Sequence, residues 1–343
     1  MSIEYHDKSF DLKEPILSET LESDRYVLFP IKHPELFTMY KTMSSVYWVA
    51  DEISFAQDLK DIDKLTEDEK HFVFRILAFF SSSDGIVIEN LVLSFFDKVK
   101  LAEYRNCICF QLAIEAVHSE TYSLLIDTYC RNNEYEKKKL FQAIENYPAI
   151  ANKAKWAQRW IANDECSFAQ KLVAYVLVEG LFFCGSFCAI YWLKERGLLP
   201  GLSFANSLIA RDESQHAKLT ALIYQYIENK LPEKLVHDMV KEAVEIERSF
   251  IIDSLPCRLI GMNSELMFEY IKYMADWNLV MLGYNKIYNA NNPFHFAVYA
   301  SLEGKVNFFE QKVDSYQRAS VKVKNTVDTV NDNFGKFDIT EDF

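Results

Sequence analysis

Apolar residues recur through most of the chain at helical spacing, in long runs, and no sustained strand-like alternation interrupts them. After Phe29-Pro30 and His33-Pro34, the pattern predicts a helix running towards Trp48. Thr66-Glu67-Asp68-Glu69 reads as a capping box and opens a helix through Phe79, Asp84 and Ile88 to about Phe96. A second long helix covers 110–129 and stops at Arg131-Asn132-Asn133. Shorter helices follow at 135–146 and 151–161, then an almost wholly apolar one at 167–197. Pro200-Gly201 reads as a turn before helices at 203–229, 233–253 and 264–288. The pattern fades after Asp314. The expected architecture is all-α: one helical domain over 23–318, between a flexible segment 1–22 and a flexible tail 319–343.

Composition narrows this picture. The chain has 343 residues, half of them hydrophobic, enough for a large core. Its net charge of −13 argues against nucleic acid or an anionic membrane surface as partner. The stretch 172–193 is apolar enough to span a bilayer, but it contains Glu179 and lacks consistent basic flanks. It reads as a buried central helix, not a membrane span. The seven cysteines form no Cys-x-x-Cys pair, and no secretory signal is evident, which points to a reducing, cytoplasmic setting.

The candidate chemistry lies inside these helices. Glu115 and His118 are three residues apart and share one helix face, with Tyr122 one turn further on. The same spacing recurs at Glu213 and His216. Asp84 and Glu179 each sit alone within apolar helical runs. Any one of these could be ordinary. Together they place four carboxylates in one core, which is prohibitive without cations. Four carboxylates and two neutral imidazoles match two divalent metals, and the mixed donors suit iron or manganese. Ferritin-like di-metal bundles use this pattern, a carboxylate from each of two helices and Glu-x-x-His from two others. The remaining histidines have no such partners. Phe183 and Phe187 follow Glu179 by four and eight residues, and Ile209 precedes Glu213 by four. They would wall Tyr122 off from water, as a stored tyrosyl radical requires, although phenylalanine at this spacing is also ordinary core.

At this point the sequence resembles the small, radical-generating subunit of class I ribonucleotide reductase, of the eukaryotic type. The resemblance rests on SSSDGIVIEN at 81–90, IEAVHSETYSLLIDTY at 114–129, VEGLFFCGSF at 178–187, RDESQH at 211–216 and NFFEQKVDSYQR at 307–318. It implies two iron ions per chain, with manganese the alternative. Asp84, Glu115 and His118 would hold one ion, and Glu179, Glu213 and His216 the other. It also implies a tyrosyl radical on Tyr122 in a pocket of Phe183, Phe187 and Ile209, generated with dioxygen. A transfer path would run from His118 through Asp212 to Trp48 and resume at Tyr316. The C-terminal peptide, with Phe337, Ile339, Asp342 and Phe343, would dock on the large catalytic subunit. The chain would pair as a homodimer, or as a heterodimer with a paralogue. Two positions depart from the family pattern: Ser54 stands where Asp is usual, and the tail ends Thr340-Glu341-Asp342-Phe343. The competing readings are another ferritin-like di-iron oxidase or ferroxidase, and a silent paralogue that stabilises an active radical subunit.

Overall fold

The computed structural model describes residues 6–17, 27–254 and 262–295; the side chains of Asp84, Ile86 and Leu93 are outside that description, as are Tyr316 and the whole tail with Phe337, Ile339, Asp342 and Phe343. The described residues contain no β-strand. Their helices are α1 (Pro34–Ser45), α2 (Asp58–Ile62), α3 (Glu67–Asn90), α4 (Ala102–Tyr129), α5 (Glu134–Phe141), α6 (Ala143–Asn146), α7 (Pro148–Ala157), α8 (Phe168–Leu177), α9 (Cys184–Glu195), α10 (Pro200–Gln225), α11 (Glu233–Ser254) and α12 (Ser264–Leu282). Three π-helical turns extend or join them, at Leu91–Phe96, Gln158–Ala162 and Val178–Phe182.

Local sequence sets many of the helix ends. Thr66 and Glu69 form the expected capping box at the start of α3. Ser167 and Gln170 form a second one at the start of α8. Asn263 caps α12, and Gly283 ends it with a left-handed φ of 91°. That glycine is why the helix stops short of the expected 288. Pro200-Gly201 is not a separate turn. Pro200 occupies the first position of α10, where its missing N–H costs nothing. Gly201 is required there, because a Cβ would lie 2.6 Å from the Ser54 carbonyl oxygen. The long apolar helix is also not continuous, since the π-turn Val178–Phe182 separates α8 from α9.

The core pairs α3 with α4 and α8 with α10, and α4 also packs on α10. Around these, α1 lies on α4, α7 packs on α11, and α11 packs on α12. Glu67–Phe96 and Phe168–Glu195 are both long and apolar enough to cross a membrane, but the apolar window of the second is entirely buried within the protein. The segment expected to be loose at the N-terminus is tied down over 6–17. Asp11 accepts from the Phe168 N–H, the first turn of α8, and Glu14 accepts from the Glu228 and Asn229 N–H groups. Acidic side chains placed on unsatisfied backbone donors account for that order.

Candidate metal centre

Three elements of the core bring buried candidate ligands to one point. Successive turns of α4 supply Glu115 and His118, α10 supplies Glu213 and His216 at the same spacing, and the π-turn supplies Glu179. One ligand atom from each of Glu115, Glu179, Glu213 and His216 lies within 4.8 Å of all the others. His118 joins this group, with Nδ1 3.1 Å from Glu213 Oε1 and 3.4 Å from Glu115 Oε2. His216 faces the same two carboxylates, with Nδ1 2.9 Å from Glu115 Oε1 and 3.1 Å from Glu213 Oε2. The imidazoles therefore stand on either side of two shared carboxylates. Asp84 belongs to α3, which packs on α4, and its side chain lies outside the described residues.

Without cations the cluster is electrically strained. Burial and the Glu213 and Glu115 carboxylates push Glu179 well above the usual carboxylate range. Burial opposes the charge on Glu213, but Glu179, His118 and His216 outweigh it and hold this carboxyl below its ordinary value. Burial would likewise lower both imidazoles. Asp212, Glu115 and Glu213 instead raise His118 well above its usual range, and Glu115 and Glu213 push His216 up to about 9. The raised Glu179 and imidazole groups favour their protonated forms, and a metal ion would have to displace those protons to bind.

The donor set fits divalent metal ions. Both Glu179 oxygens and His118 Nδ1 are buried without a well-formed hydrogen bond. Buried polar atoms left in that state are destabilising, and a coordinated cation would satisfy them. Carboxylates and imidazoles without thiolate favour iron or manganese over a structural zinc.

Two further groups adjoin the cluster. Asp212 Oδ2 lies 3.2 Å from His118 Nε2 and accepts a 2.7 Å hydrogen bond from Trp48 Nε1. The Trp48 and His118 rings stack with centroids 5.9 Å apart. Arg211 donates to the other Asp212 oxygen at 2.7 Å and to the Val46 carbonyl at 2.9 Å. Although burial raises the Asp212 carboxyl, His118, Arg211 and Trp48 bring it below its ordinary range. The second group is an aromatic cluster that begins at Tyr122, which is buried and stacked on Phe80 at 4.6 Å. Phe80 in turn meets Phe187 at 5.4 Å and Phe183 at 5.8 Å, and Ile209 is fully buried nearby in sequence to Glu213.

Two contributors lie outside the sequence pattern of ligands and their neighbours. Phe80 precedes Asp84 by four residues, the same offset that singles out Phe183 and Ile209, and would be found by extending that rule to α3. Gln111, one turn before Glu115, reaches Glu115 Oε1 at 3.4 Å and the Tyr175 hydroxyl at 2.9 Å.

Comparison with known proteins is consistent with this architecture. The family model for the ribonucleotide reductase small chain matches residues 25–293. A ribonucleoside-diphosphate reductase small chain of Plasmodium falciparum is 51% identical over 92% of this chain and 89% of its own. One from Nicotiana tabacum is 50% identical over 90% of this chain and 93% of its own. Among solved structures, the ribonucleotide reductase Rnr4 homodimer of Saccharomyces cerevisiae superposes with a TM-score of 0.77 at 35% identity, covering 91% of this chain and 95% of that one. The fold is thus the ferritin-like helical bundle, and the chain belongs to the ribonucleotide reductase small-chain family.

Proposed function

We propose that this small subunit of ribonucleoside-diphosphate reductase generates and stores a tyrosyl radical on Tyr122, beside two iron ions. Asp84, Glu115 and His118 would hold one ion, and Glu179, Glu213 and His216 the other. The observation that carries the reading is the convergence of Glu115, Glu179, Glu213 and His216 within 4.8 Å in the buried core. When bound, the metal pair supplies dioxygen activation and an oxidant strong enough to take one electron from a phenol.

The chain's own residues do the rest. Tyr122 would give one electron to that oxidant and its phenolic proton to a basic oxygen at the metal site, leaving a neutral radical. Phe80, Phe183, Phe187 and Ile209 keep water and reductants from it. The Trp48 indole N–H already points at Asp212 Oδ2, so a proton acceptor is in place when an electron leaves the indole. Asp212 in turn contacts His118, which makes Trp48–Asp212–His118 the conduit from the site outwards. Tyr316 continues this path, and the peptide containing Phe337, Ile339, Asp342 and Phe343 docks on the large subunit, where the ribonucleotide is reduced. The chain works as a dimer in the cytoplasm, with itself or with a paralogue.

Stripping the metal, restoring ferrous iron in the presence of air, and recording optical and paramagnetic resonance spectra tests the reading. About two irons per chain and a sharp tyrosyl resonance are expected. Iron uptake without any organic radical would overturn it in favour of a ferroxidase or hydroxylase.

A further inference from the structure

The π-turn that carries Glu179 is braced by helices outside the metal-bearing core. A π-turn inserts one residue into a helix and releases carbonyls from the regular backbone ladder. Two carbonyls of this turn are met by buried side chains. Lys153 of α7 donates from Nζ to the Phe182 oxygen at 2.7 Å. Asn278 of α12 donates from Nδ2 to the Gly180 oxygen at 3.1 Å and to its own helix, at Met274, at 2.8 Å. Gly180 is what lets Asn278 come so near, because a Cβ there would stand 2.1 Å from Asn278 Oδ1.

Lys153 is an odd choice if packing were its only task. Its ammonium pairs with Glu247 Oε2 at 2.5 Å and lies 3.7 Å from the ring centroids of both Phe79 and Phe250. Phe79 also packs on Phe183, the residue that follows the π-turn. A buried ion pair of this kind adds little net stability, and two apolar side chains of similar size would pack as well or better. Two apolar side chains could not donate to the Phe182 carbonyl.

We propose that Lys153, oriented by Glu247, and Asn278 are positioning residues for the metal centre. Together they hold the π-turn in the form that aims Glu179 at Glu115 and Glu213 and sets Phe183 against Phe80. Collapse of the turn into regular α-helix would rotate the residues on one side of it by about 100° relative to those on the other. Glu179 and the aromatic wall would then lose their common register. The inference rests on Glu179 being a metal ligand.

The test separates positioning from packing. The double variant Lys153→Met with Glu247→Leu removes both charges together, so no buried charge is left unpaired; only the Phe182 carbonyl loses its donor, and the melting temperature should fall by no more than about a few degrees. Its affinity for Mn2+, titrated into the metal-stripped protein and read from the resonance of free Mn2+, should fall about 10- to 100-fold, as for other residues that orient a ligand. The line shape of the bound ion should change as well. Asn278→Ala, which leaves the ion pair intact, should weaken Mn2+ binding in the same direction. It carries the test alone if the double variant does not fold. Parental affinity and line shape in a folded variant would overturn the proposal. Failure of the parent chain itself to bind Mn2+ would instead reject the metal centre, and the bracing role with it.

Discussion

Asp58 and Glu179 are both buried carboxylates packed against the core helices, and they are satisfied in opposite ways. Asp58 accepts from the Tyr129 hydroxyl at 2.6 Å and from the Gly201 and Leu202 N–H groups at 2.7 and 2.8 Å. It closes the N-terminus of α10, where the helix presents unpaired donors and a partial positive charge. Glu179 has no backbone donors, only the Tyr175 hydroxyl nearby, and the neighbouring acids outweigh it. It faces Glu213 and Glu115, and both of its oxygens lack a well-formed hydrogen bond. Burial raises both carboxyls, so burial alone does not tell them apart. The supply of protein donors does: a buried acid whose lone pairs are already used is structural, and one aimed at other acids is a candidate metal ligand.

The sharpest way to break this contrast is to remove each acid, or the Tyr122 hydroxyl, in turn. Glu179→Ala should abolish binding at one of the two metal positions, with elemental analysis falling well below the parent value and no tyrosyl resonance after iron and air. Retention of full metal content would take Glu179 out of the ligand set. Tyr122→Phe should show the complementary loss. It keeps the ring, the stacking on Phe80 and the metals, but has no hydroxyl to oxidise, so the optical spectrum of the metal site should form without the radical signal. A persistent signal would assign the radical to another tyrosine.

Asp58→Ala should do the reverse of Glu179→Ala. It leaves two backbone donors and the Tyr129 hydroxyl without their acceptor, and should lower stability by about 3 kcal/mol. Metal stoichiometry should not change, because Asp58 contacts none of Glu115, His118, Glu179, Glu213 or His216 through its hydrogen bonds. Chemical denaturation measures the first quantity and elemental analysis the second. A folded Asp58→Ala chain that had lost metal would collapse the distinction between the two acids.

The sequence carried the two Glu-x-x-His pairs in plain view, because ligands on one helix face leave a periodic trace. The long helices were legible for the same reason, as was the Thr66–Glu69 cap. What was not legible depends on contacts between distant residues. Asp58 draws no attention in the sequence, since its meaning comes from the start of α10 far along the chain. Lys153 and Glu247 lie on separate helices and leave no shared pattern. The π-turn at Glu179 follows from packing and from side-chain donors, where local propensity predicts one unbroken helix. Pro200-Gly201 reads as a turn because the same residues that make turns also start helices.

The smallest expected effect is a slope. In the metal-free chain His216 keeps its proton up to about 9, and Glu179 is also raised. Coordination requires the imidazole nitrogen and the carboxylate oxygens to be unprotonated, so each ion that binds must displace the proton held there. Raised values mean that lowering the pH strengthens the competing proton and weakens metal binding. Below about 9, affinity should therefore fall about tenfold per pH unit for the His216 proton alone, and more steeply where His118 and Glu179, both also raised, release protons as well. Above that point the imidazole is already neutral and its contribution levels off. Asp58→Ala should show the same slope as the parent chain, since its carboxyl exchanges no proton with the metal. Glu179→Gln should show a shallower one, in addition to weaker binding. Mn2+ titrations across neutral and mildly alkaline pH measure all three curves. A parent curve that is flat there would mean that neither His216 nor Glu179 gives up a proton to the metal.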